Sequence, residues 1–355
     1  MLKSNCVYNN VDVVYSIGDI HGDYQTFKKI LLDIGLDPLI SNGKNIFQVY
    51  TKNIYGHDFE LCRINKNNIT NDNFCIVQCG DILYSVYKKI KTNDNEELKL
   101  LLFIYSLINS FNIISTPKKL FRCRYIQLLG NHDILILASN CYNCLEDNFK
   151  RLNYFHNIHQ LKQALWKIKS VLFDNGLIFC KINNVLYTHC FFTPESNQFL
   201  YNEALKLDYY KNQINILSSI KNNNILNLMK SPTDINIESF NIIIKFMISD
   251  YHELRLNVDK VHELFLNNIR YFNKELVNNQ IDEWIIRKDL NIYFGCDKII
   301  MGHMYSPYYK EYFNGLIKVI DIGISQKMVL KYNLKRNFEI FYCCLCKNNF
   351  CLIQK

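Results

Sequence analysis

The sequence predicts an α/β protein with its ligand site at one edge of a sheet. Strand-like and helix-like segments alternate from Val11 to Leu129, three strand-like runs end in Gly followed by Asp or Asn, and two later runs end in His. Polar side chains that recur at strand ends are what an α/β sheet places around a ligand.

In chain order, the β-forming run Val11 to Tyr15 leads into SIGDIHGDYQTF (16 to 27), a strand that stops on Gly-Asp and then His. Phe27, Ile30, Leu31 and Ile34 recur at helical spacing before Gly35, which predicts a helix over Tyr24 to Leu36 with Asp23 as its cap. Residues 41–72 are polar and Asn-rich, with two short strand-like runs around Phe47 to Tyr50 and Phe59 to Ile64, and are expected to form a hairpin insertion. The run Phe74 to Cys79 ends in Gly80-Asp81. A helix from about Asn95 to Phe111, with Leu98, Leu101, Leu102, Tyr105 and Ile108 on one face, leads to Arg124 to Leu129 and then Gly130-Asn131-His132-Asp133. Gln160 to Ser170 reads as helix, followed by two strands, GLIFCKI and NVLYTHC, the second ending in His189. Residues 196–290 alternate apolar and Asn/Lys positions at helical period and are expected to be a mostly helical insertion or lid. Asp297 to Met301 ends in Gly302-His303, Gly315 to Ile320 ends in Asp321, and strands continue to the terminus. With no linker or fixed-period repeat, residues 1–355 are expected to form a single domain.

A hydrophobic content of 49% is ample for a buried core and argues against disorder. The net charge of +8 is spread through Asn-rich segments and forms no basic block, so nucleic acid is not an expected partner, although anionic substrates would be attracted. No apolar run is long enough to cross a membrane, and the opening MLKSNCVYNN has no apolar signal segment, so the expectation is a cytoplasmic protein with reduced thiols. Its 14 cysteines include the pair Cys141 and Cys144 and the tail group Cys343, Cys344, Cys346 and Cys351. They lack the two regular pairs of a structural zinc site and read as small buried hydrophobes.

The strand ends present Asp19, His21, Asp81, Asn131, His132, His189 and His303. Carboxylates, imidazoles and an amide suit first-row metals, and a pair of metals needs one bridging carboxylate with separate ligands on each side. Glycines 18, 80, 130 and 302 are expected to let the chain leave each strand sharply, turning the next side chain toward the site. Turn chemistry alone would explain one or two of these polar residues and not the ordered set. His57, His156, His159, His252 and His262 lack such a context.

GDIHG (18 to 22), GD (80 and 81), GNHD (130 to 133), His189 and GH (302 and 303), in this order, resemble the calcineurin-like metallophosphoesterase superfamily. That superfamily includes phosphoprotein Ser/Thr phosphatases and diadenosine tetraphosphate hydrolases. The similarity runs from Val11 to about Ser325 and covers 196–290 poorly; WIIR (284 to 287) and IDIGIS (320 to 325) are similar to the bacterial-type phosphatase branch. The resemblance implies a metallophosphoesterase-type β-sandwich flanked by helices. It further implies two metal ions (Mn, Fe or Zn), with Asp19 and His21 on the first, Asp81 bridging, and Asn131, His189 and His303 on the second. His132 matches the proton donor to the leaving oxygen, and Arg287 is the candidate phosphate clamp.

Where the family continues GDxxDRG this chain reads GDILYSV, with Tyr84 and Ser85 in place of the carboxylate that orients the histidine and the arginine that grips phosphate. Metal binding is expected to survive this change, with activity more exposed to it. Three functions follow. The first is a dinuclear-metal phosphoesterase acting on phosphomonoesters by in-line attack of a metal-bridging hydroxide, with phosphoserine or phosphothreonine in proteins as substrate. The second is a dinucleoside polyphosphate hydrolase, suggested by GNHDILIL and His189 to Pro194. The third is a metal-binding scaffold that recognises phosphorylated partners without turning them over.

Overall fold

A computed structural model of the chain describes residues 6–54, 56–83, 96–114, 122–137, 170–190, 283–303 and 310–321, the backbone of 341–346 and 349–354, and helical positions 159, 163, 198, 202, 237, 238, 240 and 241. The expected helix at 160–170, most of the insertion expected at 196–290, the Tyr84-Ser85 departure and the Cys141/Cys144 pair lie outside the described residues.

Two six-stranded sheets share one hydrophobic core. One runs in the order β1 (Val7–Tyr8), β8 (Phe179–Ile182), β9 (Val185–Thr188), β10 (Lys298–Met301), β12 (Ile317–Val319) and β11 (Lys310–Tyr312). The other runs β14 (Asn349–Gln354), β13 (Phe341–Cys346), β2 (Val13–Ile17), β5 (Phe74–Gln78), β6 (Arg124–Leu128) and β7 (Gly176–Leu177). β3 (Phe47–Ile54) and β4 (His57–Ile64) pair as a separate antiparallel hairpin. The helices are α1 (Tyr24–Ile34), α2 (Glu96–Ile114), α3 (Asn131–Leu137) and α4 (Glu283–Asp289). GLIFCKI, read as one strand, divides: Gly176–Leu177 joins one sheet and Phe179–Ile182 the other. The break at Ile178 is stabilised by the buried Asn241, whose Oδ1 accepts the N–H groups of Ile178 and Phe179.

Register explains how residues far apart in sequence reach one edge. β2, β5 and β6 are parallel and place Ile17, Gln78 and Gln127 abreast, so the segments beginning at Gly18, Cys79 and Leu129 leave the sheet together. In the other sheet Thr188 pairs with Met301, and Met301 with Val319, again in parallel, so His189, Gly302 and Ile320 follow at a common level.

α1 and α2 cover the β2-containing sheet through aromatic edge contacts. Tyr24 and Phe103 rings lie 5.5 Å apart, Phe27 and Tyr125 6.4 Å, and Phe74 and Phe111 6.3 Å. α2 is apolar nearly all round rather than along one face, with Leu100, Phe103, Ile104 and Leu107 fully buried beside the expected Leu98, Leu101 and Leu102. The cause is the hairpin, which packs on α2: the backbone N–H groups of Cys62 and Ile64 donate to Ser106 Oγ and Ser110 Oγ, satisfying an edge strand with helix hydroxyls. Asp23 caps α1, its Oδ1 accepting the Thr26 N–H at 3.0 Å.

Candidate metal centre

The expected ligands come together. Asp19, Asp81, His189 and His303 offer donor atoms all within 4.8 Å of one another, and so do His21, Asp81 and His132. Asp81 belongs to both groups, as a bridging carboxylate would. Asn131 joins them, its Oδ1 standing 3.1 Å from His189 Nε2.

His189 shows most directly what the cluster is built for. Its ring is fully buried and its Nδ1 lies 2.9 Å from the backbone oxygen of Cys79, an atom that can only accept. Nδ1 therefore carries the proton, and the bare lone pair of Nε2 points inward. Around Nε2 lie His303 Nδ1 at 3.0 Å, Asn131 Oδ1 at 3.1 Å and Asp81 Oδ2 at 3.5 Å. Nitrogens and oxygens that converge in this way in a buried site form a donor set that suits a first-row metal. The residues present thus fit the metals that the motif order implies.

The carboxylates have the same character. Asp19 and Asp81 are buried, and desolvation, reinforced by the neighbouring charge of Asp321, holds both well above the ordinary Asp range. Backbone donors partly offset this: the His303 N–H points at both oxygens of Asp19 (3.2 and 3.1 Å), and the His132 N–H donates to Asp81 Oδ1 at 2.9 Å. Burial lowers His189 strongly and pushes His303 down to about 4, so both imidazoles are neutral ligands at pH 7. His132 is also lowered by burial, although its side chain keeps 18% of its exposure and stands at the lip, Nε2 3.9 Å from Asp81 Oδ2. Its ring meets that of His21 edge-on at 5.5 Å.

Backbone conformation departs from the expectation about glycines. Of residues 18, 80, 130 and 302 only Gly80 has a positive φ, whereas His21, Asp81 and His303 themselves sit at φ 48, 48 and 62 degrees. Side-chain-bearing residues held there mark strain of the kind that accumulates at functional sites. Gly130 and Gly302 serve by close approach instead: a Cβ on either would overlap the carboxylate of Asp81 or Asp19, respectively.

Two buried supports stand behind the cluster: Asp133, whose place after Gly130-Asn131-His132 suits a supporting acid, and Gln78, which pattern reading missed. Asp133 ties the second and third motifs together, accepting N–H groups from Ile82, Leu83 and Gly130, and is pushed up to about 7 by burial and then by the charge of Asp81. Gln78, two residues before the Gly-Asp turn, looks in sequence like one more polar position of a strand; its neighbour in the register is Gln127. Arg287 lies on the exposed side of α4 with its guanidinium on Glu283 one turn away, at 2.6 Å. Among the described residues no helix is long and apolar enough to cross a membrane.

No protein-family model and no curated protein matches the chain. Among solved structures, the cold-active protein-tyrosine phosphatase of a psychrophilic Shewanella species is similar at a TM-score of 0.54 and 15% identity, over 98% of this chain and 80% of that one. A point mutant of a cold-active protein tyrosine phosphatase gives 0.56 and 14% over the same shares. A protein serine/threonine phosphatase from Saccharomyces cerevisiae, at 0.30 and 14% over 54% of this chain and 43% of that one, is too distant to carry an argument. The likeness is one of fold: this chain shares the two-sheet α/β fold of these cold-active phosphatases, with its cluster of Asp, Asn and His at the shared strand ends.

Proposed function

We propose that the chain is a metal-dependent phosphatase that hydrolyses phosphomonoesters, with phosphorylated protein side chains as the substrate class. The observation that carries this reading is the convergence on His189 Nε2 of ligand atoms from Asp81, Asn131 and His303. Two bound cations would lower the pKa of a water shared between them and offset charge on the phosphoryl oxygens.

The chain's own residues divide the remaining work. Asp19 and His21 would hold the first cation, Asn131, His189 and His303 would hold the second, and Asp81 would be available to both. The Cys79 carbonyl keeps His189 in the tautomer whose Nε2 is free to bind. His132, at the lip, gives a proton to the leaving oxygen; an incoming phosphate favours its protonated form by charge, against the burial that keeps it neutral beforehand. Arg287, in α4, is the candidate clamp for phosphate, and it would leave Glu283 to serve.

Metal analysis joined to hydrolysis assays tests the proposal. The substrates are an aryl phosphate, phosphoserine, phosphothreonine and phosphotyrosine peptides, and diadenosine tetraphosphate, with Mn²⁺ or Fe²⁺ supplied. Wild type is expected to carry two metals and turn over a monoester fastest, Asp81→Asn to lose both properties, and His132→Asn to keep the metals and lose rate. Two metals with no turnover of any substrate overturn the enzymatic reading in favour of a phospho-binding scaffold; preference for the dinucleotide overturns the substrate class.

A further inference from the structure

Beneath the metal cluster lies a chain of uncharged hydrogen bonds that no motif announces. Gln78 and Gln127 are completely or almost completely buried, at 0% and 1% exposure, on neighbouring strands and in direct register. A buried primary amide must find partners for two N–H groups and an oxygen, and Gln78 finds all of them in the backbone and in Gln127. Its Nε2 donates to the carbonyl of Gly18 at 3.2 Å and to that of Gly80 at 2.6 Å. Its Oε1 accepts the Gly80 N–H at 3.0 Å and the Nε2 of Gln127. Gln127 Nε2 also donates to the Leu128 carbonyl at 2.7 Å, and Gln127 Oε1 accepts the Tyr125 hydroxyl at 2.7 Å.

The direction of this relay matters. Tyr125 presents its proton to Gln127, which fixes the Gln127 amide; Gln127 then presents N–H to Gln78, which fixes the Gln78 amide with both of its N–H bonds aimed at carbonyls. Those carbonyls belong to Gly18 and Gly80, the residues immediately before Asp19 and Asp81. One side chain therefore pins together the two turns that carry the cluster's carboxylates. A hydrophobic residue at position 78 would leave two buried carbonyls and one N–H without these partners, so burial of an amide there is explained by what it holds.

We propose that Gln78 is a positioning residue that sets the spacing between Asp19 and Asp81, with Gln127 and Tyr125 orienting its amide; the proposal rests on the reading of the cluster as a pair of metal sites. It acts through the backbone of both turns and touches neither metal nor substrate. Outer partners of metal ligands commonly change affinity by about 10- to 100-fold.

The test uses the full chain with Mn²⁺ alone as probe. Stoichiometry and affinity are measured by equilibrium dialysis, the spin-coupled signal of paired Mn²⁺ by electron paramagnetic resonance, and folding by circular dichroism. Gln78→Glu keeps the size and an acceptor for Gly80 but has no pair of N–H groups, and Tyr125→Phe leaves Gln78 in place while removing the first link of the relay. The expected result is that wild type binds two coupled Mn²⁺, that Gln78→Glu loses the coupled signal with affinity at least about tenfold weaker, and that Tyr125→Phe, with an unchanged fold, shows a smaller loss of the same kind. If Gln78→Glu does not fold, Tyr125→Phe together with Gln127→Glu decides. Folded variants that bind two coupled Mn²⁺ with wild-type affinity overturn the positioning role and leave the metal reading intact. A wild type that binds no Mn²⁺ overturns the metal reading and this proposal with it.

Discussion

His189 Nε2 and His303 Nδ1 face one another at 3.0 Å across two parallel strands of one sheet, with their rings crossed at 76 degrees. Brought this close, with Asn131 Oδ1 and Asp81 Oδ2 beside them, the two ring nitrogens are the donor set of one cation site in the proposed metal centre. His303→Ala is expected to weaken one of two Mn²⁺ sites by more than about 100-fold, beyond the loss typical of outer partners, while His189→Ala also releases the Cys79 carbonyl from its hydrogen bond. In wild type, saturating Mn²⁺ should raise the melting temperature and a chelator should reverse the rise. Calorimetry of the three proteins with and without metal measures both effects.

Acidity of the buried carboxylates predicts an unusual pH response of the metal-free protein. A carboxyl whose folded pKa is raised holds more protons folded than unfolded, so its contribution is complete at low pH and disappears as pH climbs through the folded value. For Asp133 that loss begins above the ordinary Asp range and is complete near its folded value of about 7, and Asp19 and Asp81, raised by burial, act in the same sense. The lowered histidines act in the opposite sense, and their window closes at the ordinary imidazole value of 6.5. Above pH 6.5 the carboxylates therefore act alone, and the chelated protein should lose stability as pH rises toward 7. Manganese should flatten the curve, and its binding should release protons, measurable in weakly buffered solution.

Asp23 belongs to the GDIHGD run and yet caps a helix. Asp23→Ala is expected to cost about 1 kcal/mol while Mn²⁺ stoichiometry stays unchanged; denaturant titration and dialysis check the two halves. Loss of a metal in that variant would move Asp23 into the ligand set.

If Arg287 closes on phosphate it must exchange Glu283 for the substrate. Arg287→Ala should then raise KM by about 10-fold or more, the range of a charge-assisted hydrogen bond, with kcat little changed. Glu283→Gln, which frees the guanidinium, should leave KM equal or lower. Steady-state kinetics on the aryl phosphate separate these outcomes, and equal KM in all three proteins removes Arg287 from the site.

Much of the site was legible in the order of residues. The apolar runs at Val13–Ile17 and Phe74–Gln78 and the helical period at Tyr24–Ile34 placed Asp19, His21 and Asp81 at strand ends, and the order of the later blocks brought Asn131, His132, His189 and His303 to join them. Pattern reading failed where an element's surroundings were needed. α2 looked one-faced because its neighbours were unknown, and most of its circumference is buried because the β3–β4 hairpin covers its other side. GLIFCKI looked like one strand, since nothing local tells which of two sheets will claim each half.

Sequence alone determined which chemical groups stand after each strand, because turn-forming Gly, Asp, Asn and His are local features with local causes. Only tertiary structure decided how those groups meet: parallel register put Ile17, Gln78 and Gln127 level, and burial then changed the acidity of every carboxylate and imidazole among them. For Asp19, Asp81, His132, Asp133, His189 and His303, distance and desolvation depend on what the rest of the chain packs nearby, which no single segment encodes. For the same reason Gln78, an ordinary polar letter in a strand, emerged as the link between two metal-binding turns.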